Sequence, residues 1–399
     1  MENIVYVKGE NLVEAYNKAL VELNKKGKIY PCPAYSNDYM TQVQKEITLF
    51  LTVSDVNKEP NISKFYLSGP EDLQEYILEF IYGTRNFNVK AKNVEKNFWS
   101  YTYNQRIEEY DQIDFIIEEL IRDKYSRRAE ILVRDNKVDM KVNDPACLQE
   151  FDFKIRDNKL NMTTIMRSND LTQAAGMNMY AFIEFQKRIA KKIKDRALEY
   201  QEILESMLEE TPKDKSIEGA IKYLDDFKKI EPGIYNHLSI SAHAYGTVLS
   251  KEKYQEYLQK QEGITLKEDE TRGTTIHYED GFVVGEIRGL EKRAQIIEKK
   301  SLEDLSYPTT GENGWQSMME ESIVPSLVEL SIKKSLEYNL FDQDLINRIE
   351  EVLIDYNIPF EKLYKECQKK GIDLLSLYEQ NGMEKPTMEK SKKLEKELK

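Results

Sequence analysis

The sequence predicts an α/β (α+β) fold, because helical and strand periodicities alternate along it. Leu12, Ala15, Tyr16, Ala19, Leu20 and Leu23 recur at helical spacing and should face a core. Phe151, Phe153 and Ile155, then Leu160, Met162, Thr164 and Met166, alternate with polar residues around Asp157-Asn158. That is the period-two pattern of a half-buried hairpin with turn residues at its tip. Ser68-Gly69-Pro70-Glu71 reads as a helix start, with proline in the first turn and acids to follow.

The remaining elements fall between these. Ile4 to Lys8 is a short strand, Pro31-Cys32-Pro33 breaks the first helix, and Ile47 to Val53 is a second strand. The helix ending at Tyr82 places Glu75 and Glu79 one turn apart on one face. Asp111-Gln112 opens a helix with Ile113, Ile116, Ile117 and Leu120 inward, and a later helix runs through Tyr180, Phe182, Phe185, Ile189 and Ile193. From about Lys194 to Lys229, charged helical periodicity suggests an inserted helical pair joined near Thr211-Pro212. An alternating strand follows Pro232 and reaches His243 and Tyr245. Beyond it lie a highly charged stretch with a short apolar run at Phe282-Val283-Val284, a loop over Thr309–Gly314, and helical patterns at Ser317–Leu336, Asp342–Asp355 and Phe360–Lys370. The lysine-rich end has the composition of a disordered tail.

With 399 residues the chain can form more than one domain and bury a sizeable core. No run of eighteen apolar residues occurs and no signal-peptide pattern opens the chain, so a soluble cytoplasmic protein without membrane contact is expected, in a bacterial or phage-infected host cell. Cys32, Cys147 and Cys367 are odd in number and far apart, which fits a reducing compartment and argues against a disulfide framework or a CxxC metal site. The net charge of −13 disfavours an extended nucleic-acid surface, while leaving room for a local anion pocket built from a few arginines. His237, His243 and His277 are too sparse for the usual zinc sites, so metal-free chemistry is expected.

Three groupings could carry chemistry. The hairpin would bring Cys147, at one strand's start, near Arg167, Ser168 and Asp170, at the other's end. A thiolate beside a cation is the activated form of a cysteine nucleophile. His243 and Tyr245, two apart on a strand, share a face and can meet one ligand hydroxyl. Arg127-Arg128 closes a helix and, taken alone, would serve as dipole capping.

Taken together, these residues resemble the thymidylate synthase family, which includes the pyrimidine nucleotide hydroxymethylases. The resemblance rests on Cys147, Arg167-Ser168-Asn169-Asp170, Asn178 eight residues after Asp170, Ser126-Arg127-Arg128-Ala129 and the His-x-Tyr of His243 and Tyr245. Gly83-Thr84-Arg85-Asn86 looks like the family's Gly-x-x-Asn turn, and Trp99-Ser100-Tyr101-Thr102-Tyr103-Asn104-Gln105-Arg106 its Tyr-x-x-x-x-Arg loop. Leu148 and Met166, where the familiar bacterial form has His and Gln, look most like the archaeal and phage-type branch.

The resemblance implies a mixed sheet flanked by helices and a homodimer joined through a sheet face. In it Arg127 and Arg128 would grip the phosphate held by the neighbouring subunit. It also implies dUMP as substrate and 5,10-methylenetetrahydrofolate as co-substrate. Cys147 would be the nucleophile, Arg167 and Ser168 would bind substrate, and Asn178 would pair with the uracil edge. His243 and Tyr245 would hold the sugar, and Asp170 would face the folate. Tyr101 would join the catalytic set with a glutamate acting through water. The distance to the Gly turn favours Glu75 for that role, with Glu79 as the alternative.

The catalytic domain would span residues 1–249 with the insertion at about 195–230. A charged connection over 250–314, a helical extension over 315–384 and the tail over 385–399 would follow. No tryptophan follows the candidate glutamates on their helix, and some 150 residues follow the last motif. The expected reaction is therefore hydroxymethylation of dUMP, with reductive methylation to dTMP and a catalytically inactive nucleotide-binding module as the other readings.

Overall fold

In a computed structural model the chain is described over residues 3–32, 41–67, 69–90, 100–142, 145–250, 277–279, 282–284, 289–308 and 323–380. The expectations on Pro33, Ser68, Trp99, the loop over 309–314 and the tail fall outside these residues. The elements run β1 Ile4–Gly9, α1 Leu12–Lys26, β2 Lys28–Pro31, β3 Thr41–Val53, α2 Pro70–Tyr82, α3 Phe87–Lys90, α4 Tyr103–Glu108, α5 Gln112–Arg122, β4 Ala129–Leu132 and α6 Asn136–Asp139. They continue with β5 Leu148–Arg156, β6 Lys159–Asp170, α7 Ala175–Glu210, α8 Lys215–Asp225, β7 Glu231–Ser250, β8 His277–Glu279, β9 Phe282–Val284 and α9 Leu290–Ile297. The last helices are α10 Val324–Glu337, α11 Gln343–Asp355, α12 Phe360–Lys369 and α13 Leu374–Gln380.

The chain divides into two compact units, each made of two stretches. One comprises residues 1–67 and 111–307, the other residues 68–110 and 308–399.

The first unit is built on a nine-stranded sheet whose main path runs β1-β3-β7-β6-β5-β4, with β2 beside β3 and β9 beside β7 and β8. The β1/β3 and β6/β7 pairs are parallel and the others antiparallel, so the sheet is mixed. The expected hairpin is β5–β6. Its tip residues, Asp157 and Asn158, both have positive φ (51° and 57°), the conformation that a two-residue turn matching strand twist demands. Phe151, Phe153 and Ile155 face inward from β5, and Leu160, Met162, Thr164 and Met166 from β6.

Helices α1 and α7 pack on one face of this sheet. Phe182 and Phe185 of α7 meet Phe151 at ring separations of 5.1 and 5.4 Å. On the opposite face Ile4, Tyr6 and Ile240 are exposed, with Tyr6 stacked on Phe50 at 5.8 Å. The insertion differs from expectation at its start. Helix α7 runs unbroken from Ala175 to Glu210, so the inserted part begins as an extension of a core helix. Helix α8, capped by the Asp214 side chain, is a separate element, followed by a short 3-10 turn over Asp226–Lys229.

A polar knot lies inside the sheet. His237 is fully buried, with Tyr235 Oη 2.7 Å from Nδ1, and Asn169 Nδ2 and Ser239 Oγ 3.0 and 2.9 Å from Nε2. Asn169 Nδ2 can only donate, so Nε2 accepts and the ring proton sits on Nδ1. Burial pushes the imidazole down to about 3 from 6.5. A depressed His pKa gives stability that is complete above pH 6.5 and lost as pH falls toward 3. His237→Phe leaves three buried polar groups without their partner and should cost about 3 kcal/mol at pH 7.5 by urea unfolding. It should also flatten the decline in stability between pH 6.5 and 4. An unchanged acid slope in the variant would contradict this account.

The second unit is helical, and its amphipathic patterns close on each other. Leu345, Ile346, Ile349, Val352 and Leu353 are buried on α11, Leu363 and Cys367 on α12, and Leu374 and Tyr378 on α13. Burial pushes the Cys367 thiol up to about 12, so at neutral pH it stays protonated and packs as an apolar side chain. Helix α13 escaped the sequence patterns because its seven residues are too short to show a period.

Candidate active site

The residues singled out from sequence divide between the two units. Cys147, Arg127, Arg128, Arg167, Ser168, Asp170, Asn178, His243 and Tyr245 belong to the first; Glu75, Glu79 and Tyr101 belong to the second.

In the first unit the hairpin positions the thiol. Cys147 is half-buried, one residue before β5, and its carbonyl accepts the Arg167 backbone N–H at 2.9 Å. The Arg167 side chain turns back onto the same loop: Nε donates to Ala146 O at 3.0 Å and Nη2 to Pro145 O at 2.6 Å. Two of the five guanidinium N–H groups thus hold the backbone that presents the thiol, and among the described residues the others have no protein partner. The fork is planar and always charged, suited to an anion that bridges its outer edge.

From there β6 delivers Ser168 and Asp170 beside β7, in parallel register with Ser241 and His243. Asp170 Oδ1 accepts from the backbone N–H and hydroxyl of Thr172 at 2.9 and 2.7 Å, which fixes the turn into α7. Tyr16 Oη donates to Leu171 O at 2.7 Å and Arg293 Nη1 to Thr172 O at 3.0 Å. Gly176 lets the Tyr66 ring lie against the first turn of α7; a Cβ there would strike the ring. Asn178, two residues further on, is buried, its backbone N–H donating to Ala174 O at 2.9 Å. His243 is buried, its ring 4.7 Å from Tyr245 in an edge-to-face pair, and its Nδ1 is 3.3 Å from Ser241 Oγ.

Arg127 and Arg128 are exposed just before β4; α5 already ends at Arg122, so the pair does not close the helix as expected. Arg128 Nε donates to Glu119 Oε1 at 2.9 Å, and Ser126 Oγ to the same oxygen at 2.5 Å. Ser126 and Arg122 pull Glu119 down to about 2. The arginine pair therefore starts from a rigid, charge-compensated base.

In the second unit, Glu75 and Glu79 have different environments. Glu75 is ion-paired with the buried guanidinium of Arg85, from the Gly83–Asn86 turn. Burial raises Glu79 to about 7, opposed by Arg85 and assisted by the charge of Glu75. A carboxyl poised near neutral pH can both give and take a proton, which a carboxylate locked to a guanidinium does poorly. Tyr101 is half-buried, 5.8 Å from the Tyr103 ring and under the Arg106 guanidinium at 5.7 Å. The distance to the Gly turn favours Glu75 in the sequence; in the structure Arg85, from inside that turn, gives the two glutamates different environments.

The thymidylate synthase family model matches residues 65–207. A protein of Methanocaldococcus jannaschii named "Putative thymidylate synthase" is 30% identical over 199 residues, covering 47% of this chain and 82% of its own. One of the same name from Methanosarcina barkeri is 28% identical over 193 residues, covering 47% and 81%. Among solved structures, thermostable thymidylate synthase A from Bacillus subtilis has 14% identity and a TM-score of 0.41, over 59% of this chain and 80% of that one. The chain belongs to the thymidylate synthase family.

The raised Glu79 pKa makes a prediction on stability. The folded state binds the Glu79 proton more tightly than the unfolded chain, so folding loses stability as pH rises from 4.5 to 7 and the loss is complete above 7. Glu79→Gln should recover up to roughly 3 kcal/mol at pH 8 and almost nothing at pH 4. Thermal unfolding of the full chain at the two pH values reads this, and an equal effect at both would refute it.

Proposed function

We propose that the protein transfers a one-carbon unit from 5,10-methylenetetrahydrofolate to carbon 5 of dUMP through a covalent adduct on Cys147. The observation that carries the proposal is the Arg167 clamp, whose guanidinium holds the backbone that presents a half-buried thiol and keeps donors to spare. The pyrimidine's carbon 5 is a poor nucleophile. Addition of the Cys147 thiolate at carbon 6 creates an enolate that attacks the one-carbon unit; loss of the carbon 5 proton then expels tetrahydrofolate, breaking its bond to the transferred carbon, and leaves an exocyclic methylene. Water then adds to that methylene as the thiolate departs, giving 5-hydroxymethyl-dUMP. Glu79 is assigned the proton transfers in place of Glu75, because its carboxyl is the one poised near neutrality.

Arg167, Arg127 and Arg128 are assigned to the phosphate, the last two across a homodimer. Ser168 is assigned to substrate, and the Asn178 carboxamide, which donates and accepts, to uracil O4 and N3–H. His243 and Tyr245 are assigned to the sugar hydroxyl, Asp170 to the donor-rich edge of the folate, and Tyr101 to the catalytic set. The sheet face bearing Ile4, Tyr6 and Ile240 is the apolar surface on which the homodimer would close. Among the described residues no helix is long and apolar enough to cross a membrane.

Hydroxymethylation is the leading reaction because α2 carries no tryptophan to dry the methylene for hydride transfer. The names of the methanogen relatives favour the second reading, dTMP with dihydrofolate. Mass spectrometry of the nucleotide after incubation with dUMP and methylenetetrahydrofolate separates them: a hydroxymethyl gain supports the first, a methyl gain the second, and an unchanged nucleotide refutes both. Cys147→Ser should lower turnover at least about 10³-fold while dUMP binding, read by calorimetry, stays within about threefold. Retained turnover would remove Cys147 from the mechanism.

A further inference from the structure

The C-terminal helices lie outside the stretch matched by the family model, yet they form one compact unit with the helix that carries Glu79. The backbone of that helix's last turn shows what they do. An α-helix ends with carbonyls that have no partner inside it. Here Gly83, at φ 65°, places its own N–H 3.0 Å from Glu79 O, and the Thr84 N–H lies 3.4 Å from Leu78 O. Asn104 Nδ2 donates to Phe80 O at 3.2 Å and Ile81 O at 3.0 Å. The remaining carbonyl, Tyr82 O, accepts from Arg348 Nη1 at 3.1 Å. Arg348 belongs to α11, far away in sequence.

Arg348 also ties this helix end to its surroundings. Nη1 lies 3.1 Å from both Asn104 Oδ1 and Glu108 Oε1, Nη2 donates to Glu108 Oε2 at 2.8 Å, and Asp344 completes the cage at 3.1 Å. Asn104 Oδ1 accepts in turn from Asn86 Nδ2 at 2.7 Å, and Asn86 Oδ1 from Thr102 Oγ1 at 2.5 Å. A Cβ at Gly83 would strike both Asn104 Oδ1 and Arg348 Nη1, so this contact needs a residue without a side chain. The same α11 grips α2 elsewhere: Tyr82 Oη donates to Asp355 Oδ2 at 3.1 Å, and Gln74 Nε2 to Tyr356 Oη, beyond the helix's end, at 2.7 Å. Lys334 of α10 stands in the same charged neighbourhood, pushed down by burial and by Arg85.

We propose that the C-terminal helices are a positioning module for the acid–base helix, and that Arg348 is the positioning residue that sets the Gly83–Asn86 turn and, through it, Arg85 and Glu79. The proposal deepens the assignment of Glu79 and rests on that reading for its effect on turnover. Its structural half stands independently. Arg348→Met should raise amide exchange at Thr84 and Asn86 at least tenfold and shift the Glu79 titration followed by carboxyl NMR. With dUMP it should lower kcat about 10- to 100-fold, leave KM for dUMP within about twofold, and move the pH-profile limb near 7.

Tyr356→Phe breaks the contact to Gln74 at the start of the same helix interface and should leave kcat and the turn's exchange unchanged. Arg348→Lys keeps the charge without the fork; it should keep the unfolding midpoint while kcat stays at least fivefold down. Unchanged exchange and titration in Arg348→Met would overturn the proposal, as would equal losses in Arg348→Met and Tyr356→Phe. Should Arg348→Met fail to fold, Arg348→Lys with wild-type exchange and kcat would overturn it too. If the wild-type chain shows no turnover with dUMP, the proposed reaction fails while exchange and titration still decide the role of Arg348.

Discussion

The Arg167 guanidinium on the carbonyls of Pro145 and Ala146 is the contact on which the first unit's site depends. Pro145, Ala146 and Cys147, the residues just before β5, lie outside the strand ladder. Arg167, one strand over, supplies the missing donors, and its own backbone N–H closes the pair at Cys147 O. The cation is therefore fixed by the loop it serves, so the guanidinium and the backbone that presents the thiol cannot separate without breaking three hydrogen bonds at once. The neighbouring turn into α7 follows the same pattern, with Tyr16 and Arg293 bonding the carbonyls that Asp170 leaves over.

The second unit solves a different electrostatic problem. Two carboxylates one helical turn apart would ordinarily share one environment. Arg85 breaks that symmetry by engaging Glu75, and burial leaves Glu79 to hold its proton. A single buried cation thus produces one spent and one poised carboxyl, a division that needs no difference in the glutamates themselves.

The hairpin was legible in the sequence because every local signal agreed: period two on both sides, turn residues at the tip, and a Cys-to-Arg span fixed by the pairing. The order of the strands was not legible. The β6/β7 and β1/β3 pairs are parallel and non-local, and nothing in a strand's own residues names its neighbour. The continuous run of α7 was missed because its surface turns charged at Lys191, although Ile193 and Ala197 keep the buried stripe going. The role of Arg348 was not legible in the sequence. The i,i+4 pair with Asp344 reads as a solvated helix face, while the partners that matter, a backbone carbonyl and side chains some 240 residues earlier, are non-local.

The second unit is stitched from residues 68–110 and the last stretch of the chain. A ribosome completes the first piece long before the second exists. The helix that carries Glu79 must therefore pass most of synthesis without Arg348, Asp355 and Tyr356, which bond it in the finished fold. Loop closure over so long a span adds little to the thermodynamic cost, since that term grows only logarithmically, but it delays folding. Competence to catalyse would thus be conferred last, by the C-terminal helices, and a chain interrupted before them would carry every family motif and still lack a formed second unit.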